Sequence, residues 1–340
     1  MSKPPAPTHT HLPRSVAIPL SVCVGAATVV QSRINGHLGS LLSDGLEAAW
    51  VSFGVGLLVV VLIFCFSSTL RSTLPTLRSG LRKDSNGKSA IRPWQLLGGI
   101  GGATFVAAQS QTVQYLGVAV FTVSIVAAQN SSAIVVDRLG LGPAGVQFFT
   151  ARRVIAAAIA TLGVVIAVYP KIGITSFSIT ALAFALTAGA LIAIQQAING
   201  RVAVTAGSPW TAGLTNFVVG WLALTLALTI EHVVNGKPLH AIPAPWVHPE
   251  LWIGGLIGIA FIVGAAMAVP TLGVLLFALL SIAGQVGGAL LVDLVFPEPQ
   301  APITWWIVAG TAVTAGGVAV ATLSKRRQQP DESQLAESSK

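Results

Sequence analysis

Long apolar runs separated by short polar segments follow one another along most of this 340-residue chain. The runs lie near residues 16–34, 46–66, 94–116, 118–136, 151–169, 179–198, 209–230, 251–272, 274–295 and 303–323. Most approach the roughly 20 residues that a helix needs to cross about 30 Å of hydrocarbon. The third and fourth runs are joined only by Leu116-Gly117, and the eighth and ninth only by Leu272-Gly273; these glycines favour two helices and a tight turn at each junction. The pattern predicts an all-α integral membrane protein with ten transmembrane helices.

The chain also repeats itself. The segment QSRING at residues 31–36 returns as QQAING at residues 195–200, an offset of 164. An offset of 156 then aligns Gly98, Gly102, Leu116, Gly117, Phe121, Gln129 and Asp137 with Gly254, Gly258, Leu272, Gly273, Phe277, Gln285 and Asp293. Each half holds five predicted helices, and an odd number makes the second half enter the bilayer in the opposite orientation. We therefore expect two inverted five-helix repeats.

The repeat sets the predicted domain boundaries. The first repeat covers residues 15–170 and the second covers residues 171–324. Residues 1–14 and 325–340 are polar and are expected to be disordered cytoplasmic tails. Because the first apolar run matches a later helix, we interpret it as a helix of the repeat and not as a cleaved signal peptide.

Composition and charge agree with a membrane protein. Hydrophobic residues make up 53% of the chain and charged residues 9%, and the mean hydropathy is +0.78; soluble domains have about 25% charged residues. If the N-terminus is cytoplasmic, 16 of the 19 Lys and Arg residues fall in cytoplasmic segments, which predicts that both termini lie inside. The net charge of +8 is then a topology signal. We expect membrane lipid to be a partner of the protein, and no nucleic-acid partner is implied.

Amide side chains inside the runs are the candidate substrate-binding residues. They are Gln31, Asn35, Gln111, Gln129, Asn130, Gln195, Asn199 and Gln285. Amides in membrane helices either line a polar cavity or hold helices together, and the repetition of Gln129 as Gln285 suits both interpretations.

The spacing within the repeated motif allows a finer interpretation. Gln31 and Asn35 are four residues apart, as are Gln195 and Asn199, so each pair shares one helix face. Asn-Gly is common where helices end, so we interpret Asn35 and Asn199 as helix-ending residues and expect the two glutamines to face a cavity.

Other chemistry is not indicated. The chain has no P-loop, no Gly-x-Ser-x-Gly elbow and no His-Glu-x-x-His motif, so we expect no enzyme, no catalytic residues and no cofactor. His232, His240 and His248 are eight residues apart, which fits no common zinc pattern, and no metal site is predicted. Asp137, at a helix end, is interpreted as a cap or an ion-pair partner of Arg138 or Arg152 rather than an ion-coupling residue.

The doubled motif and the ten-helix pattern resemble the drug/metabolite transporter superfamily. Within it the chain is similar to the bacterial inner-membrane YdcZ group (domain of unknown function 606), in a fused ten-helix version, over about residues 15–323. The resemblance implies a substrate cavity between the two halves and an exporter-like role. Small multidrug relatives carry a glutamate in the first helix, whereas this chain has none between Val16 and Ile34, which argues against proton-coupled export of cations.

We therefore expect a secondary transporter of the cytoplasmic (inner) membrane that exports small neutral or zwitterionic metabolites by alternating access, as a monomer or homodimer. The alternative is a non-transporting membrane scaffold or regulatory subunit whose polar residues only pack. Amides gathered around one solvated cavity would favour the transporter, and a dry, fully packed bundle would favour the scaffold.

The charge asymmetry makes a topology prediction. A cysteine introduced at Asn235 should react with a membrane-impermeant thiol reagent added to intact cells, because the polar segment that follows residue 230 is predicted to lie outside. A cysteine at Ser85, in the basic loop of residues 67–93, should not react until the membrane is permeabilised. The reverse labelling pattern would show that the orientation is wrong.

Overall fold

The computed structural model describes residues 12–83, 87, 89–148, 150–169, 179–295 and 305–322. These residues are predominantly helical. The helices are α1 (Arg14–Leu42), α2 (Gly45–Phe66), α3 (Ser68–Arg71), α4 (Thr73–Gly80), α5 (Gly98–Arg138), α6 (Ala151–Val168), α7 (Ile179–Ala206), α8 (Pro209–Asn235), α9 (Ile253–Leu272), α10 (Val274–Val295) and α11 (Trp305–Thr322). The predicted tail 325–340, most of the tail 1–14 and the domain boundary at 170–171 lie outside the described residues.

The long helices follow the apolar runs closely. Within the described part of the chain, five helices are long and apolar enough to cross a membrane: α1, α2, α7, α8, and α9 together with the turn that precedes it. α10 contributes a shorter apolar segment, Val274–Gln285. The all-helical membrane class is thus supported, and the count of ten crossings stays a prediction.

Polar residues at the ends of the runs position the helices. The Oδ1 atom of Asp44 accepts the backbone N–H of Leu46 at 2.7 Å and of Glu47 at 3.1 Å, which caps the start of α2. Two 3₁₀ turns, Pro93–Leu96 and Pro249–Trp252, precede α5 and α9. They are 156 residues apart, so the repeat seen in the sequence extends to the local backbone.

The junction predicted at Leu116-Gly117 lies inside α5, Gly98–Arg138. The backbone is helical through this junction, from Gly98 to Arg138, and no separate turn residue marks it. α9 and α10 are separate because Gly273 takes a φ of +77°. The physical difference is Pro270 inside α9, which lacks an N–H and weakens the helix near its end, whereas its repeat counterpart is Gln114.

α5 nevertheless turns back on itself. A side-chain carbon placed on Gly98 would overlap the side chain of Asn199, and one placed on Gly142, just after α5, would lie 3.8 Å from Ala197. Both ends of α5 therefore lie beside the same part of α7, although a straight helix of 41 residues would separate them by about 60 Å. Ala108 and Ile125 also share one apolar cluster with α7. The chain thus reverses direction between them, in the interval that contains the predicted junction.

The first long helix of each half packs against the other half. α1 contacts α9 and α10, and α7 contacts the two legs of α5. Gly25 of α1 lies against the backbone of Ser281, and Gly189 of α7 lies against the backbone of Ile125. Gly25 and Gly189 are 164 residues apart, and Ile125 and Ser281 are 156 apart, so equivalent residues make equivalent contacts.

α2 and α8 meet between the halves. The rings of Phe53 and Phe217 have centroids 5.3 Å apart, and we call them the central phenylalanine pair. Gly56 lies against Phe217, and Gly220 lies against Phe53. The two glycines occupy equivalent positions in the two repeats, as do the two phenylalanines, so the contact is made twice in the same way.

The glycine contacts predict a difference between two positions on α1. Gly25→Ala should lower the free energy of unfolding by about 1–3 kcal/mol, because the new carbon would overlap the backbone oxygen of Ser281. Gly36→Ala is the matched control: no atom lies within 4 Å of the added carbon, and alanine is the better helix former by up to about 1 kcal/mol. Thermal unfolding in detergent measures both variants. Equal loss of stability in the two would contradict the helix contact.

Candidate functional site

Four buried amides lie on α7 and α8 near the start of α5. They are Gln195, Gln196, Asn199 and Asn216, and none is more than 4% exposed. Asn199 Nδ2 donates to Asn216 Oδ1 at 2.9 Å. The Oε1 atom of Gln195, both polar atoms of Gln196 and the Nδ2 atom of Asn216 are buried without a hydrogen-bond partner. We call these four residues the α7 amide set.

α1 carries the repeat-related residues Gln31 and Asn35, which we call the α1 amide pair. Gln31 Nε2 donates to the backbone oxygen of Gly254 at 3.2 Å. Asn35 is buried, and neither its Oδ1 nor its Nδ2 atom has a partner. The predicted pairs Gln31–Asn35 and Gln195–Asn199 thus both lie at contacts between the two halves.

The interpretation of Asn35 and Asn199 as helix-ending residues is wrong. α1 continues to Leu42 and α7 continues to Ala206, so both asparagines lie inside helices. Each faces a glycine of the opposite half, because a side-chain carbon on Gly254 would overlap Asn35 and one on Gly98 would overlap Asn199. The local preference of Asn-Gly for a helix end is outweighed by this tertiary contact.

Both predicted glutamines border the central phenylalanine pair. A carbon placed on Gly258 would lie 2.9 Å from Gln31 Nε2 and 3.5 Å from Phe217 Cζ. A carbon placed on Gly102 would lie 3.2 Å from Gln195 Nε2 and 3.2 Å from the other ring of the pair. The two amide groups are therefore linked through glycine and aromatic contacts across the interface between the halves.

Of three other candidate residues, two form hydrogen bonds within their own half and the third is buried. Asn130 Nδ2 donates to Thr161 Oγ1 at 3.2 Å, and its Oδ1 is buried without a partner. Gln285 is half-buried, and its Nε2 donates to Ser281 Oγ at 3.4 Å. Gln129 is buried. The described contacts do not join these residues to the α1 amide pair or to the α7 amide set.

Gln111 lies instead in an open groove of about 380 Å³. The lining residues of the groove are Leu46, Ile100, Ala103, Thr104, Ala107, Gln111, Phe184, Ala223, Leu224, Ala227, Ile230 and Glu231. Its walls are mainly apolar side chains of α5 and α8, and its polar lining residues are Thr104, Gln111 and Glu231. The eight predicted residues are therefore not gathered around this groove.

A buried carboxylate was missed by the sequence reasoning. Glu47 is buried at the start of α2, and its oxygens accept the backbone N–H of His240 at 3.3 Å and lie 3.2 Å from His240 Nδ1. Lys237, in the same loop, lies 3.2 Å from Glu231 and 3.9 Å from Asp44. These contacts attach the loop after α8 to α2. The described residues hold no group of three or more His, Cys, Asp or Glu side chains suited to a metal.

Asp137 is a cap, as predicted. Its carboxylate accepts the N–H groups of the first two residues of α10, at 3.0 and 3.2 Å, and forms an ion pair with Arg153. The ion-pair partner found is thus the neighbour of the predicted Arg152. A carboxylate is well placed at a helix N-terminus, where the unpaired N–H groups carry partial positive charge. Asp137 therefore ties the end of α5 to the start of α10.

The cap predicts the order of two substitutions. Asp137→Ala should destabilise the protein by about 0.5–2 kcal/mol from the lost cap, with a further loss from the broken pair with Arg153. Asp137→Asn keeps a side-chain oxygen for the helix N-terminus and should lose less stability. Thermal unfolding in detergent compares them. If alanine proves no worse than asparagine, the cap does not stabilise the fold.

Comparison with known proteins identifies the family. The model of a family described as "Putative inner membrane exporter, YdcZ" matches residues 16–166 and again residues 180–320. A search of curated proteins finds no match. Among solved structures 24 chains match, and one crystal structure, described only as that of a protein, shares 17% identity over 94% of this chain and 100% of its own, with a TM-score of 0.63. That likeness shows a shared fold. Because the family model accounts for most of the sequence, the chain belongs to this YdcZ family, with the family unit present twice.

Proposed function

We propose that this exporter-family protein is a secondary transporter that moves small neutral or zwitterionic metabolites out across the cytoplasmic membrane by alternating access. The observation that carries the proposal is the set of buried polar atoms without partners. Eight such side-chain atoms occur among the described residues, and six belong to the α1 amide pair and the α7 amide set. Both groups lie where helices of opposite halves cross.

The energetic cost of these atoms argues against a purely structural role. Each buried donor or acceptor without a partner costs about 1–3 kcal/mol. A scaffold that only packs would pair its amides or replace them with apolar residues of similar shape. A transporter exposes the same atoms to water or solute during its cycle, so the polar groups are satisfied in some of its states. The family's exporter description supports the transporter over the scaffold.

The placement of the two amide groups supports alternating access. Asn35 and Asn199 each lie seven residues before the end of their helix. In the ten-crossing arrangement that we propose, the two halves are inverted and α1 and α7 run in opposite directions, which puts the α1 amide pair toward the outside and the α7 amide set toward the cytoplasm. If the helix contact around one amide group opens while the contact around the other stays closed, each group is exposed to one side of the membrane only.

The proposed substrate class follows from the absence of formal charge in both amide groups. The nearby buried acids are already engaged, Asp137 by the start of α10 and Arg153, and Glu47 by His240. A solute with net charge would leave water for a site without an opposite charge, which is costly. Neutral and zwitterionic metabolites avoid most of that cost.

Transport by purified protein tests the proposal. Proteoliposomes loaded with a metabolite mixture should release particular neutral or zwitterionic solutes, measured by mass spectrometry with and without a pH gradient. Gln31→Ala and Gln195→Ala should reduce that release at least several-fold, since each removes an amide beside the central phenylalanine pair. Gln95→Ala is the matched control, because Gln95 is also a buried amide but belongs to neither group, and its Oε1 accepts the backbone N–H of Arg92 at 2.8 Å.

Thiol labelling of single-cysteine variants tests whether the two amide groups are exposed to opposite sides of the membrane. After the native Cys23 and Cys65 are replaced, Asn35→Cys should react only with reagent outside the vesicle, and Asn199→Cys only with reagent on the cytoplasmic side. Ser21→Cys, at a fully buried position on α1, should stay unreactive and serves as the control. A complete lack of both transport and labelling would support the scaffold.

A further inference from the structure

The two helix–helix contacts that hold the amide groups differ at two positions that the repeat makes equivalent. The offset of 164 aligns Gln195 with Gln31 and Asn199 with Asn35, so these amides are shared by both halves. The same offset aligns Gln196 with Ser32 and Asn216 with Ser52, so α7 and α8 have carboxamides where α1 and α2 have hydroxyls. The α7 amide set is therefore the richer in hydrogen-bonding groups, through two residues that the repeat does not require.

The four amides of the set form one group around Asn199. Gln195 and Gln196 lie four and three residues before Asn199 on α7, which places both next to it on the helix surface. Asn216 joins from α8 through its hydrogen bond with Asn199. Gln195 Oε1 also lies 3.1 Å from a carbon placed on Gly101, so Gln195 packs directly against the backbone of α5 at a position without a side chain.

The atoms of this group that lack partners have a definite chemical character. Two are acceptors, the Oε1 atoms of Gln195 and Gln196, and two are donors, the Nε2 atom of Gln196 and the Nδ2 atom of Asn216. Gln196 thus presents a donor beside an acceptor on one planar group. The nearest cation along α7, Arg201, donates at 2.6 Å to the backbone oxygens of Leu141 and Gly140, so these N–H groups are used by the segment after α5, and the four side chains of the set are themselves uncharged.

We propose that the α7 amide set binds neutral solutes that carry an amide-type edge, meaning an N–H donor beside a carbonyl acceptor, as in a primary amide, a lactam, a ureide or a pyrimidine base. Such an edge pairs with the carboxamide of Gln196 through two hydrogen bonds, and the atoms of Gln195 and Asn216 add an acceptor and a donor. A carboxylate offers only acceptors and an ammonium only donors, so neither matches the set. The proposal rests on the transport function proposed above and narrows its substrate class.

Calorimetric titration of the purified full chain in detergent tests this site. The probes are nicotinamide and uracil, and the comparison compounds are nicotinate and methyl nicotinate, which keep the ring of nicotinamide but lack the N–H. At least one probe should bind, and both comparison compounds should bind about tenfold more weakly or worse. Gln196→Ser and Asn216→Ser introduce the serine found at the equivalent position of the first half, and each should weaken probe binding about tenfold. Gln95→Ser is the matched control and should bind as the parent does.

The possible outcomes separate the site from the function. Failure of both probes to bind, equal binding of nicotinate, or unchanged binding in both serine variants would overturn the site. If a serine variant cannot be purified, Gln196→Met keeps the side-chain length, removes both polar atoms and replaces it in the test. Probe binding without transport in proteoliposomes would contradict the transport function and leave the site standing, whereas transport of other solutes that is unaffected by these variants would contradict the site alone.

Discussion

Helices from opposite halves approach each other closely, backbone against backbone, and this contact builds the interface between the halves. In lipid there is no hydrophobic force between helices, so association relies on tight packing and on hydrogen bonds between them. Gly25 and Gly189 bring the backbones of α1 and α7 against those of α10 and α5. Any larger residue at these positions would separate the helices and remove the contacts that build the interface between the halves.

The same close approach determines where polar groups can lie. Gly98 and Gly254 leave the space that Asn199 and Asn35 occupy, so the amides reach the interface only because the facing helix has no side chain there. The result is an interior with tightly packed apolar clusters and two polar helix–helix contacts between the halves. Apolar side chains of both halves meet beside these contacts, as Phe53 and Phe217 do.

The candidate site was only partly predictable from the sequence. Repetition identified Gln31 and Gln195, since an amide kept at equivalent places in two membrane halves is unusual enough to be noticed. The same reasoning missed Gln196, whose repeat counterpart is a serine, and misread Asn35 because the helix-ending preference of Asn-Gly is a local property. Whether a helix continues past such a residue depends on what packs against it, and in α1 that partner is Gly254, more than two hundred residues away.

Hydropathy and motif repetition are local quantities that can be read along the chain, and they were enough to predict the membrane class, the positions of most helices and the family. Which residues meet could be seen only in the folded protein. Asp137 caps α10 across 137 residues, and Glu47 binds His240 across 193 residues. These outcomes depend on how whole helices are placed against one another, and the free energy that places them comes from contacts between segments far apart in the sequence.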